Sequence, residues 1–141
     1  MKKTYTVLAA MALAGSVPGS AMADNVTAAD LATPGTTAFP VCAGSNATKW
    51  NVAGGPGAPF TVSDSFIKTG FAVQCSANTH VAFANISGTL FTVGAGSAKG
   101  NQSVKGSSNG GAVVTHTQCT STNQACSAAD VTIATSEASS M

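Results

Sequence analysis

The sequence predicts an all-β fold: a small disulfide-stabilised β-sandwich, immunoglobulin-like or incomplete, with one long Gly/Ser-rich loop. Three observations lead there. Apolar residues recur at a period of two along short segments. Those segments are rich in Val, Ile, Phe and Thr and end in Gly, Ser, Asn or Pro. Four cysteines follow a leader of the export type. Alternation at period two sends every second side chain to one face of a strand, and many short strands with close turn signals argue for a sandwich or barrel.

Residues 1–23 read as a signal peptide. Lys2 and Lys3 supply the positive start, "TVLAAMALAG" from Thr6 to Gly15 the apolar run, and Ala21, Met22 and Ala23 the small-x-small cleavage site. The run falls short of the ~20 apolar residues that span a bilayer, and no later segment reads as a transmembrane anchor. The expected product begins at Asp24 and is exported to the periplasm, the cell surface or the exterior. Residues 24–41 form an N-terminal extension, in which "NVTAADLAT" offers a turn or two of helix capped by Asn25.

The β domain is expected over 42–135. "WNVAGGPGAP" from Trp50 to Pro59 is so dense in glycine and proline that it reads as a loop or a strand crossover. In "SFIKTGFAVQC", Ile67, Thr69, Phe71, Val73 and Cys75 fall on one side, which makes a half-buried strand with Cys75 pointing inward. Further strands are expected at Pro59 to Ser63, Thr79 to Ile86, Gly88 to Gly94, Gly111 to Cys119 and Asp130 to Thr135. "SAAD" at Ser127 to Asp130 suggests one helical turn, and 136–141 reads as a flexible tail.

The segment "VGAGSAKGNQSVKGSSNGGAVV", Val93 to Val114, raises the question of a phosphate loop. Gly94, Gly96 and Gly100 miss the dinucleotide spacing, neither Lys99 nor Lys105 follows a glycine and precedes Ser or Thr, and no helix-forming run follows. It reads instead as a long mobile connection, and no cofactor is expected.

Charge narrows the function classes. After cleavage, Lys49, Lys68, Lys99 and Lys105 face Asp24, Asp30, Asp64, Asp130 and Glu137, and the chain contains no Arg. A nearly neutral surface argues against nucleic acid, where phosphate neutralisation supplies affinity. The four cysteines Cys42, Cys75, Cys119 and Cys126, bound for an oxidising compartment, read as two disulfides. Three pairings are open; Cys42 with Cys75 and Cys119 with Cys126 is favoured because the second pair closes a short loop. The competing metal reading would gather His116, Cys119, Cys126 and His80, but the spacing matches no C-x2-C pair.

For catalysis the only bases are His80 and His116, both inside strand patterns and read as residues on a polar strand face, and no serine sits in a G-x-S-x-G elbow. The carboxylates lie in no recognisable motif, so no catalytic residue is assigned. Trp50 is the one candidate platform for a sugar or small ligand, weighed against a core position. Triplets starting at Asn25, Asn46, Asn85 and Asn101 would accept glycans only in a glycosylating host.

The stretch from Cys42 to Phe83, with a cysteine after a polar lead-in and then "TGFAVQCSANTHVAF", resembles the spore-coat-U and chaperone-usher pilin subunits. The resemblance implies an incomplete immunoglobulin-like sandwich in which Cys42 pairs with Cys75. It also implies a structural, filament-forming role, although the C-terminus lacks the family's near-terminal aromatic and 24–41 alternates poorly. Self-association, or association with other exported subunits, is then the expected partnership, with 24–41 as the segment that reaches a neighbour. A small binding module built around Trp50 is the alternative, and a hydrolytic enzyme comes third.

Overall fold

The computed structural model describes residues 24–26, 35, 37–120 and 125–141. The expected signal peptide and most of the expected N-terminal helix lie outside the described residues. The fold is all-β and sandwich-like, with two disulfides and, among the described residues, one α-helix. Its strands are β1 (Asp24–Val26), β2 (Phe39–Ala43), β3 (Thr48–Val52), β4 (Phe71–Cys75), β5 (Thr79–Asn85), β6 (Phe91–Ser97), β7 (Gln102–Ser107) and β8 (Val113–Gln118). The helix α1 (Ala128–Glu137) and a 3-10 turn (Ala138–Ser140) end the chain.

Among the described residues two sheets form, ordered β1-β3-β4 and β2-β5-β6-β7-β8; all their pairings are antiparallel except that of β1 with β3. Between them lies the main core of Val41, Cys42, Val52, Phe60, Cys75 and Phe83, with Trp50, Phe71, Val73 and Phe91 packed against it. In β4 the expected alternation holds, since Phe71, Val73 and Cys75 join the core and Gln74 is exposed. The strand starts only at Phe71, because the preceding chain is held differently. Asn85 donates to Ser65 Oγ (3.0 Å) and accepts from Phe66 N–H (3.0 Å), which fixes Phe66 in a stack on Phe91 with ring centroids 5.7 Å apart.

Strand β2 begins inside the segment read as an extension. Its edge position tolerates Pro40, which has no N–H to donate. A bulge between Pro40 and Cys42 shifts the register, so that both Val41 and Cys42 turn into the core instead of alternating. That phase shift brings Cys42 to Cys75, and the disulfide (Cα–Cα 5.5 Å) staples the two sheets.

The last third of the chain departs most from expectation. Asp130 to Thr135 is not a strand but the middle of α1, which packs on the outer face of the five-stranded sheet. Ser127 is the N-cap of a capping box with Asp130, two orphan backbone donors thereby finding acceptors. Buried Val131, Ala134, Thr135 and Ala138 recur at the i, i+3, i+4, i+7 spacing of one helix face. With Ala138 fully buried, 136–141 is no free tail.

Nor is 93–114 one long connection. Gly94 and Gly96 belong to β6, a short turn at 98–101 follows, and β7 runs back antiparallel. The glycine spacing has a packing cause. A Cβ on Gly94 would stand 2.4 Å from Thr135 Oγ1 and 2.7 Å from Val131 O, and one on Gly96 3.0 Å from Cys126 Cβ and Val131 Cγ2. The two glycines thus leave a furrow on the sheet in which α1 lies, with Ala82 and Ala38 packed against Val131 beside it. Pro59 to Ser63 contributes only an isolated bridge, Pro59 to Thr69, and strand β3 runs into the expected loop region as far as Val52.

Candidate functional site

Polar chemistry concentrates where β7, β8 and α1 meet. Ser103 and Lys105 reach the helix side from β7, His116 from β8, and Glu137 from the last turn of α1. His116 Nε2 bonds Glu137 Oε2, His116 Nδ1 lies 3.2 Å from Ser103 Oγ, and Lys105 Nζ lies 3.5 Å from the same Glu137 oxygen. With its proton on Nε2, the ring donates to the carboxylate and accepts the Ser103 hydroxyl. Glu137 is held below the usual carboxylate range, first by the His116 hydrogen bond, with the Lys105 charge acting in the same sense.

The connectivity Ser–His–Glu invites comparison with a nucleophilic triad, but burial inverts it. Ser103 is fully buried, while the Glu137 side chain is 52% exposed. A nucleophile must meet the substrate and the acid orient the base from behind; here the acid faces water and the hydroxyl lies beneath the base. The set is suited to latching the end of α1 onto β8.

A cleft of about 240 Å³ lined by His116, Thr120, Asp130, Ile133 and Glu137 adjoins this set. Its second carboxylate is also committed. Asp130 accepts from Ser127 Oγ (2.7 Å), Ser127 N–H (2.9 Å), Thr120 Oγ1 (3.0 Å) and Thr120 N–H (3.2 Å). These bonds, those from Ser127 foremost, lower its pKa from 3.8 to about 2, as expected for a carboxylate bonded chiefly in its charged form.

The candidate donors of the competing metal reading, His116, Cys119, Cys126 and His80, are not assembled. Cys119 and Cys126 form a disulfide (Cα–Cα 4.9 Å), which removes both thiolates. His80 is buried on β5 beneath Gly44, where a Cβ would come within 2.8 Å of three ring atoms, and its Nδ1 has no hydrogen-bond partner. Among the described residues no group of three or more His, Cys, Asp or Glu side chains is placed to hold a metal ion. Trp50, the candidate ligand platform of the alternative reading, is half-buried on β3 and packs against the core between the sheets. Both histidines do lie in strands, though on a face largely covered by other groups. The sequence reading missed Ser103 and Thr120, which carry no local signal because their partners lie 13 and 10 residues away.

A second cleft has the opposite character. About 200 Å³ in volume, it is lined mainly by apolar surface of Phe91, Val93, Gly106, Ala112 and Val113. It opens on the inner face of the five-stranded sheet, towards the β8 end, and Val113 is 70% exposed there. The disulfide holds β2 and β4, an edge of each sheet, on one side of the sandwich. Three strands laid from that side cannot cover five, so the inner face thins out towards β8.

No family model, no curated protein and no solved structure matches the chain.

Proposed function

We propose that this chain is an exported structural subunit that works by associating with copies of itself or with other exported subunits. One observation carries the reading: a disulfide-stapled sandwich in which three strands face five and an apolar cleft stays open at the uncovered end. Apolar surface rimmed by strand edges is what sheet-to-sheet association uses. The inverted burial of Ser103, His116 and Glu137 and the fully bonded Asp130 support it, since they are occupied in holding the fold. The two disulfides fit an oxidising compartment. The resemblance of Cys42 to Phe83 to pilin-type subunits points the same way.

The test is to express the full chain with its leader in a bacterial host and collect the exported protein. We expect N-terminal sequencing to start at Asp24, light scattering to show a mass that grows with concentration, and negative-stain microscopy to show ordered assemblies. A species that stays monomeric at all concentrations and forms no assemblies would overturn the proposal.

A further inference from the structure

We propose that β8 is a homotypic interface, two copies pairing their β8 strands antiparallel about a two-fold axis at Val114 so that the five-stranded sheet continues from one copy into the next. The inference deepens the self-association reading by naming the surface, and rests on it. Among the described residues, four strands sit at sheet edges, and they differ in protection. Strand β2 carries Pro40 and a bulge. Strand β4 is stapled through Cys75 to the other sheet, and β1 is three residues long and includes Asp24. Strand β8 offers the run Val113, Val114, Thr115, His116, without Lys, Asp, Glu, Pro or Gly. Natural edges are normally blunted by such residues.

The register follows from the strand itself. Between the Gln102↔Gln118 and Val104↔Thr115 pairs, β8 has two residues, His116 and Thr117, against the single Ser103 of β7. This bulge breaks the regular ladder at His116 and Thr117, so regular pairing is confined to 113–115. Continuing the sheet with its faces matched requires opposed residues of the same parity. The axis then passes through Val114, setting Val113 opposite Thr115 of the other copy.

A second copy suits this edge on charge grounds. From Asp24 onward the Lys and the Asp and Glu residues nearly balance, and Lys105 and Glu137, which lie beside β8, already pair with each other. No like charges are brought together, and the apolar clefts beside the two Val113 residues join across the seam. One short edge buries less than the ~800 Å² per partner of a standard interface, so the association is weak and concentration-dependent.

A charge-swap experiment on the exported full chain tests it. Val113 and Thr115 are both exposed, so the double variant Val113→Lys/Thr115→Lys and its counterpart Val113→Glu/Thr115→Glu bury no charge; circular dichroism checks that each folds as the parent. In sedimentation velocity we expect the parent to dimerise, each double variant to associate at least about tenfold more weakly, and an equimolar mixture of the two to recover the dimer. Double variants that associate as the parent does, a mixture that stays monomeric, or association seen only with a different protein would overturn the β8 pairing. If the parent assembles and the substitutions leave assembly untouched, this interface falls while the structural-subunit reading stands. A parent that is monomeric throughout removes both.

Discussion

Replacing Gly94 by alanine tests how the C-terminal helix is held. The added Cβ would lie 2.4 Å from Thr135 Oγ1, 2.7 Å from Val131 O and 3.0 Å from Thr135 N, against an optimal separation of roughly 3.5 Å or more for non-bonded heavy atoms. The helix must therefore retreat by about 1 Å. Two of the three atoms belong to the backbone of α1 and cannot rotate aside. Overpacking of this kind costs about 1–3 kcal/mol, and the gain from replacing a strand glycine returns about 0.5–1 kcal/mol. The net expectation is a loss of about 1–2 kcal/mol. Gly110 is the control: a Cβ there meets nothing within 4 Å and its φ is not positive, so Gly110→Ala should be neutral or stabilise by a few tenths of a kcal/mol.

Urea titration of the disulfide-intact protein reads both changes, and hydrogen exchange at the amides of 131–138 reports whether the loss is local to the helix. Adding Thr135→Ala to Gly94→Ala removes the closest contact and should recover part of the loss, the Val131 carbonyl still being in the way. A Gly94→Ala protein as stable as the Gly110→Ala control, with unchanged exchange in α1, would refute the account of the glycine furrow.

Other outcomes follow from the same contacts. Asp130 has its pKa lowered from 3.8 to about 2, so its contribution is complete above its unfolded pKa and is lost as pH falls from about 4 towards 2; at the rim of a cleft this is worth no more than about 2 kcal/mol. Asp130→Ala should therefore flatten the acid limb of the stability curve measured by thermal melts, and cost about 1–2 kcal/mol at neutral pH through the lost cap. Glu137 is lowered in the same sense by His116, so Glu137→Gln should loosen the last turn of α1 in hydrogen exchange at neutral pH, and the difference from the parent should vanish once acid protonates the carboxylate. Closing a separation of 33 residues against one of 7, the two disulfides should be worth about 4 and about 2.5 kcal/mol on the chain-entropy account. Double Cys→Ser variants at each pair, compared by urea midpoint, should fall in that order. Gly44→Ala meets both a positive φ of 74° and the His80 ring, and should lower the melting temperature more than Gly57→Ala, which shares the positive φ (80°) but meets nothing within 4 Å.

The sandwich was legible where side-chain period and backbone phase coincide. Strand β4 alternates cleanly, and its inward cysteine could be read from "FAVQC". Strand β2 could not, because the bulge at Val41 resets the phase and leaves two adjacent residues buried. The helix was misread for a local reason: "DVTIAT" is rich in β-branched residues, which favour strands. Its spacing of Val131, Ala134, Thr135 and Ala138 and its S-x-x-D cap nevertheless encode an amphipathic helix with a small buried face. Glycines misled in the other direction. Read as breakers, Gly94 and Gly96 suggested a loop; their spacing of two places both on one strand face, cleared for the helix. The polar set of Ser103, His116 and Glu137 was beyond reach because it depends on which strands become neighbours.

The two faces of the five-stranded sheet divide the work of this protein. Towards the smaller sheet, Phe83, Phe91, Val81 and Val93 present large side chains, and these need a partner layer of strands. Towards the helix, Ala82, Gly94, Gly96, Thr92 and Ser103 are small, and a close helix backbone fills the space. The helix-side face is therefore finished within one chain: the cap at Ser127, the Cys119–Cys126 disulfide and the His116–Glu137 latch fix both ends of α1. The opposite face is covered at its β2 end and open at its β8 end, where Val113 is 70% exposed. On the proposed self-association, a closed face and an open one on the same sheet would give assembly a direction. Copies joining at β8 keep their helices on one side and bring their open clefts together on the other, so burial of Val113 on assembly, read as protection of its methyl groups from solvent in NMR, separates this arrangement from one in which the helices meet.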